Sequence, residues 1–115
     1  MPSWIRLQHS KQIQELIERS YTTPCIIYKH STRCSLSSIS RYRLEGDWDF
    51  QENEVTAYFL DVIADRDLSR MVAERFEVHH ESPQLLLICH GECIYDASHL
   101  DITLTELREH FQAPC

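Results

Sequence analysis

The residues best suited to chemistry lie in one short run, Lys29-His30-Ser31-Thr32-Arg33-Cys34-Ser35-Leu36-Ser37. Cys34 sits there among polar neighbours, which argues against a buried, inert thiol. The attacking species in disulfide exchange is the thiolate. A cysteine at a helix start meets unpaired backbone N–H groups and the positive end of the helix dipole, and both favour the thiolate. In such settings the thiol pKa falls from about 8.5 towards neutral or below. Arg33, with Lys29 and His30 close by in sequence, adds charge of the same sign and forms a small basic pocket. The run reads C-S-L-S, so Ser37 stands where a C-x-x-C enzyme carries its second thiol. The chemistry this implies is single-thiol exchange. A mixed disulfide on Cys34 must then be resolved by an external thiol or by a distant cysteine.

Four further cysteines follow a different logic. Cys25 and Cys89 lie inside apolar runs and are expected in the core. Cys89 and Cys93 flank His90-Gly91. With a two-residue loop, Cys89 pairs with Glu92 and Cys93 with Ile88, so the two thiols face opposite sides of a sheet. A three-residue loop would set them opposite each other. Cys115 is the last residue and is expected to be mobile, an accidental thiol or a remote resolving one. No apolar run near the start is long enough for a signal peptide or a membrane span, so a cytoplasmic location is expected. Cysteines there stay mostly reduced, which makes a disulfide framework a poor reading. Seven histidines invite a metal reading, but no recognised ligand spacing is present and no metal site is expected.

The bulk numbers set limits on partners. A chain of 115 residues fits a single domain spanning residues 1–115. Its formal charge of −7 argues against nucleic acid as the main partner, because phosphate binding needs a concentrated Lys/Arg surface.

The elements that must position Cys34 follow from periodicity. Ile13, Leu16 and Ile17 mark an amphipathic helix with Ser10 as its cap. The run from Pro24 to His30 reads as a buried central strand. A helix carrying Leu36, Ile39 and Leu44 follows, then a strand over Glu54–Val62. Leu68, Met71, Val72 and Phe76 form the clearest helical stripe. The run from Gln84 to Ala97 is two strands around a tight His90-Gly91 turn. Thr103, three residues before Glu106, opens a last helix that buries Leu104, Leu107 and Phe111. The order α-β-α-β-α-β-β-α, with one parallel crossover and a terminal antiparallel hairpin, is a thioredoxin-like α/β pattern. It predicts a small mixed sheet of about four strands with helices on both faces. In such folds a proline at a strand start sits across from the nucleophile. Pro83 fits that place, and its bond to Ser82 is one that can be cis. The Ser82 backbone would then pair with an extended substrate.

The segments KHSTRCSLS, YFLDVIADRDLSRMVAERFEVHHESPQLLLI and ASHLDIT resemble the YtxJ-type bacillithiol-system family, the monothiol bacilliredoxins. The resemblance runs from about the first strand to the last helix. It implies a protein that removes a low-molecular-weight thiol, bacillithiol or an analogue, from S-thiolated client proteins. That thiol is a co-substrate, and no bound cofactor, nucleic acid or membrane is implied. The family motif is usually T-C-P-I-S. Here it is R-C-S-L-S, so Arg33 replaces threonine and Ser35 replaces proline, with the nucleophile position intact. Around Cys34, Arg33 is a candidate partner for a carboxylate of the incoming thiol or a solvated loop charge, Ser37 a donor to the sulfur or simply a first-turn serine, and Ser35, His80, Ser82 and Pro83 further candidate substrate-binding residues. His80 and His99 match family positions and are either tuners of the thiolate or structural histidines. Two competing readings share the same residues: a non-catalytic binding module using the Ser82–Pro83 edge, and an iron–sulfur carrier like the monothiol glutaredoxins.

Overall fold

The computed structural model describes residues 1–111 and 115. Its strands are β1 (Ile5–Arg6), β2 (Cys25–His30), β3 (Thr56–Asp61), β4 (Gln84–Cys89) and β5 (Glu92–Ser98). Its helices are α1 (Lys11–Arg19), α2 (Ser35–Asp47), α3 (Arg66–Phe76) and α4 (Leu104–His110), with a 3₁₀ turn at His99–Asp101. The sheet order is β1-β3-β2-β4-β5. The first three strands run parallel, β4 is antiparallel to β2, and β5 is antiparallel to β4.

Five strands replace the expected four or so. The extra one, β1, has only two residues, set beside Tyr58 and Phe59. Both of its side chains are exposed, so it carries no periodic signal, and only pairing with a distant strand defines it.

All six residues of β2 are buried, as a central strand covered on both faces must be. Cys25 and Ile27 face the core beneath α1 and α3, with Leu16, Leu68, Val72 and Leu86. Ile26 and Tyr28 face the opposite core, with Leu44, Leu85, Leu87 and Leu107. The helices thus divide between the two faces, α1 and α3 against α2 and α4.

Helix α2 is turned differently from its apolar pattern. It buries Ser37, Ser40 and Leu44, while Ile39 is 54% exposed. Small serines let the start of the helix approach the sheet closely, and their hydroxyls are satisfied there. Ser37 Oγ accepts from the Ser31 N–H, and Ser40 Oγ donates to the His99 carbonyl. In α3, Met71 likewise stands exposed while Ser69 is buried. Ser10 does not cap α1, because its own backbone is helical. Gln12 Oε1 accepts from the Gln8 and His9 N–H groups instead. Thr103 caps α4 as its sequence indicates, accepting from the Glu106 N–H at 3.1 Å.

The hairpin has the two-residue turn. His90 and Gly91 both take positive φ, 53° and 76°, as a type I′ turn requires. Ile88 pairs with Cys93 and Cys89 with Glu92, so these two thiols do face opposite sides. The unpaired-cysteine expectation fails elsewhere: Cys89 is disulfide-bonded to Cys115. The chain end returns over the far end of β4, a long-range placement that cysteine spacing cannot reveal.

Candidate functional site

The loop from Ser31 to Cys34 joins the end of β2 to the start of α2. It is held by short-range bonds. Arg33 N–H donates to Ser31 Oγ at 3.2 Å, and Cys34 N–H to the Ser31 carbonyl at 3.2 Å. The Ser37 N–H donates to the Cys34 carbonyl at 3.0 Å, the first bond of the helix. Cys34 is thus the N-cap residue of α2, with extended backbone and no side-chain cap bond. Its side chain is half-buried, while Arg33 and Ser35 on either side are exposed. Cys34 therefore directly precedes the first turn of α2, whose leading N–H groups have no partner within the helix.

Beneath this loop lies Tyr28. Its hydroxyl donates to the Ser37 carbonyl at 2.9 Å. Burial pushes the Tyr28 phenol well above its ordinary value, so it remains a donor. Ser37 itself is fully buried. Its oxygen fixes Ser31 rather than the sulfur, so its contact with Cys34 runs through the backbone.

The Ser82–Pro83 bond is cis. The β2–β4 ladder ends with Lys29 paired to Gln84, so the turn that precedes Gln84 and the loop that follows His30 leave the same end of the sheet. The cis turn therefore lies alongside the loop that carries Cys34. Pro83 is buried and Ser82 half-buried. Ser82 Oγ is buried with no hydrogen-bond partner among the described residues. The Pro83 carbonyl accepts from the His99 N–H at 3.0 Å, which brings the 3₁₀ turn to the same rim.

The sequence reading placed Lys29, His30 and Arg33 in one basic pocket. Only Arg33 reaches the surface. Lys29 is fully buried, on the face beneath α3, and His30 is 7% exposed on the opposite face. Burial lowers Lys29 to about 8, which leaves it charged at neutral pH, and holds His30 below its usual value. Strand alternation separates them, and a central strand covered on both faces hides them.

Lys29 has a definite task. Its Nζ donates to Gln84 Oε1 at 3.1 Å, and Gln84 Nε2 donates to the His79 carbonyl at 3.0 Å. The Glu81 N–H also reaches Gln84 Oε1, at 3.4 Å. One buried amide thus ties the segment before the cis turn to the central strand. The sequence signal for this pair was a polar residue at the end of one apolar run and at the start of another.

The two histidines separate. His80 lies on the α3 flank, with Nδ1 3.4 Å from Ser69 Oγ. Desolvation, followed by the nearby Lys29 charge, lowers its pKa, so it is a neutral ring. His99 lies on the other flank, with Nε2 3.4 Å from Glu81 Oε1. Among the described residues, no group of three or more His, Cys, Asp and Glu is arranged to hold a metal. No helix of the described residues is long and apolar enough to cross a membrane.

Cys25 and Cys93 are the other free thiols among the described residues. Burial raises Cys25 to about 12 and Cys93 to about 11, so neither forms a thiolate near neutrality. Cys115 is bonded to Cys89 and so held away from Cys34 in this structure. Cys89, its partner, is five residues along β4 from Gln84, about 16 Å from the rim that carries Cys34.

Comparison with known proteins agrees with this geometry. The model of the family described as monothiol bacilliredoxin BrxC matches residues 5–107. A solved structure described as a candidate oxidoreductase with a thioredoxin fold is 28% identical, with a TM-score of 0.77, covering 93% of this chain and 92% of that one. Thioredoxin from Malassezia sympodialis is 15% identical at a TM-score of 0.74, over 95% of this chain and 88% of that one. Fasciola hepatica thioredoxin is 18% identical at a TM-score of 0.66, over 95% and 94%. The fold is therefore that of thioredoxin.

Proposed function

This chain belongs to the monothiol bacilliredoxin family, and from that premise we propose that it removes bacillithiol, or a similar low-molecular-weight thiol, from S-thiolated client proteins in the cytoplasm. The observation that carries the reading is the half-exposed Cys34 sulfur at the start of α2, beside the cis Ser82–Pro83 turn, with a buried serine at position 37.

The exchange conserves electrons and needs no bound cofactor. The Cys34 thiolate attacks the small-thiol sulfur of the client's mixed disulfide. A new bond forms between Cys34 and that sulfur, the old disulfide breaks, and the client leaves as its thiolate. The Ser82 backbone pairs with the client segment. With Ser37 carrying no sulfur, a second thiol from solution must attack the adduct and restore Cys34. Arg33, exposed next to Cys34 in the chain, would pair with a carboxylate of the incoming thiol.

Intact-mass analysis tests this directly. A bacillithiolated client peptide incubated with the protein is expected to yield free peptide and one bacillithiol adduct, mapped to Cys34. A Cys34→Ser variant should leave the peptide thiolated. An adduct mapped to Cys25 or Cys93, or peptide release by the Cys34→Ser variant, would sink the proposal.

A further inference from the structure

A groove of about 450 Å³ opens along α3, on the flank of the site away from the 3₁₀ turn. Val62 and Ile63 give it an apolar floor, Arg66 and Arg70 stand at its side, and Ser69 and His80 complete it. Its size suits a small molecule, and an apolar floor with a few polar groups is the usual composition of such sites.

Two observations tie the groove to Cys34. The Val62 N–H donates to the His30 carbonyl at 2.9 Å, directly before the loop that carries the nucleophile. His80 lies on the segment that leads into the cis Ser82–Pro83 turn, and Gln84 holds that segment to the central strand. The walls of the groove are thus anchored on the same two segments that frame the sulfur.

The charge pattern favours an anionic occupant. The chain carries 18 acidic residues against 11 lysines and arginines, yet no carboxylate lines the groove. Arg66 makes no ion pair among the described residues. Arg70 meets only Asp67, at 3.4 Å, and that carboxylate is 90% exposed. Exposed pairs of this kind hold weakly, so both guanidinium groups can turn to a ligand. A guanidinium presents a fork of donors that matches a carboxylate.

We propose that this groove holds the carboxylate-bearing end of the small thiol while its sulfur is transferred to Cys34, with Arg66 and Arg70 pairing the carboxylates and Val62 and Ile63 covering its apolar atoms. The proposal rests on the reading of Cys34 as an exchanger. It adds a specificity site that this reading does not require. The transfer is the same balanced exchange: one disulfide is broken, one is formed, and the displaced thiolate departs.

The test compares two disulfides with the same reacting sulfurs. Glutathione disulfide keeps its carboxylates, and its carboxyl-esterified form has lost them. The rate of Cys34 adduct formation is followed by intact mass for each. The native protein is expected to prefer the carboxylate form by about five-fold, roughly the yield of two exposed charge pairs. The preference should fall to the small remainder that Arg33 supplies in an Arg66→Gln/Arg70→Gln variant, survive in larger part in Arg66→Lys/Arg70→Lys, and weaken with added salt. Equal rates for both disulfides in the native protein, or an unchanged preference in the glutamine variant, would overturn the groove alone. Adduct formation with neither disulfide, while the bacillithiolated peptide is still released, would overturn the groove and leave the exchanger reading standing; loss of both activities would overturn the exchanger reading and the groove with it. A preference seen only for disulfides carried on an acidic peptide would assign the groove to the client chain and refute the small-thiol occupant.

Discussion

At the scale of single residues, Lys29 is the most informative side chain after Cys34. It is fully buried, and burial shifts its pKa from 10.5 to about 8. Between those two values the unfolded chain holds a proton that the folded chain has released, so stability rises with pH across that window. Below it both states are charged and the full penalty applies; above it both are neutral and the penalty is gone. Cys25 and Cys93 act in the opposite sense, because burial raises them and the folded state holds their protons longer. Their effect cancels when two variants are compared at the same pH. The stability of Lys29→Met relative to the native protein should therefore be greatest at neutral pH and fall by about 3 kcal/mol by pH 10.5. Urea unfolding at both ends of the window measures this. A difference that does not change with pH would show that Lys29 keeps its ordinary proton affinity in the fold.

At the scale of elements, two hydroxyls do similar work, and only one is evident from local spacing. Thr103 caps α4 through the Glu106 N–H, three residues away, and Thr103→Ala should cost about 1 kcal/mol. Ser37 bonds backward to the Ser31 N–H from inside the first turn of α2, in a fully buried position. Removing its oxygen leaves a buried donor unpaired, so Ser37→Ala should cost about 2 kcal/mol. It should also slow adduct formation at Cys34, since the Ser31–Cys34 loop loses its tie to the helix. Denaturant midpoints rank the two variants. A Ser37→Ala variant as stable as Thr103→Ala and unchanged in rate would show that the loop holds its shape without that bond. The apolar pattern of α2 pointed to Leu36 and Ile39 as core residues, because serine at helical spacing carries no hydrophobic signal. The buried face there is set by how closely the helix must approach β2.

At the scale of the whole molecule, the site and the disulfide occupy opposite ends of the sheet. Cys34 rises from the end of β2 near Gln84 and Pro83, whereas Cys89 lies at the other end of β4. The Cys89–Cys115 bond closes a sequence separation of 26 residues, which restricts the unfolded chain by about 3 kcal/mol. Cys115→Ser should lower the melting temperature measurably and leave the exchange rate at Cys34 within about two-fold. A large loss of exchange in that variant would mean that the two ends of the sheet communicate. Such a result would restore Cys115 as a partner in the redox cycle.

Sequence alone determined the features that a few neighbouring residues control: a cysteine at a strand–helix junction, the serine in place of a second thiol, the capping threonine of α4 and the His90-Gly91 turn. Each depends on backbone conformation within about one turn, so residue type and spacing carry it. The tertiary structure decided what depends on residues far apart in the chain. It paired Lys29 with Gln84, buried both basic neighbours on opposite faces of β2, turned α2 onto its serines, added β1 beside β3 and joined Cys89 to Cys115. Apart from the alternation that sets Lys29 and His30 on opposite faces, these features leave no periodic trace, because they are selected by shape and burial at contacts that exist only once the sheet is assembled.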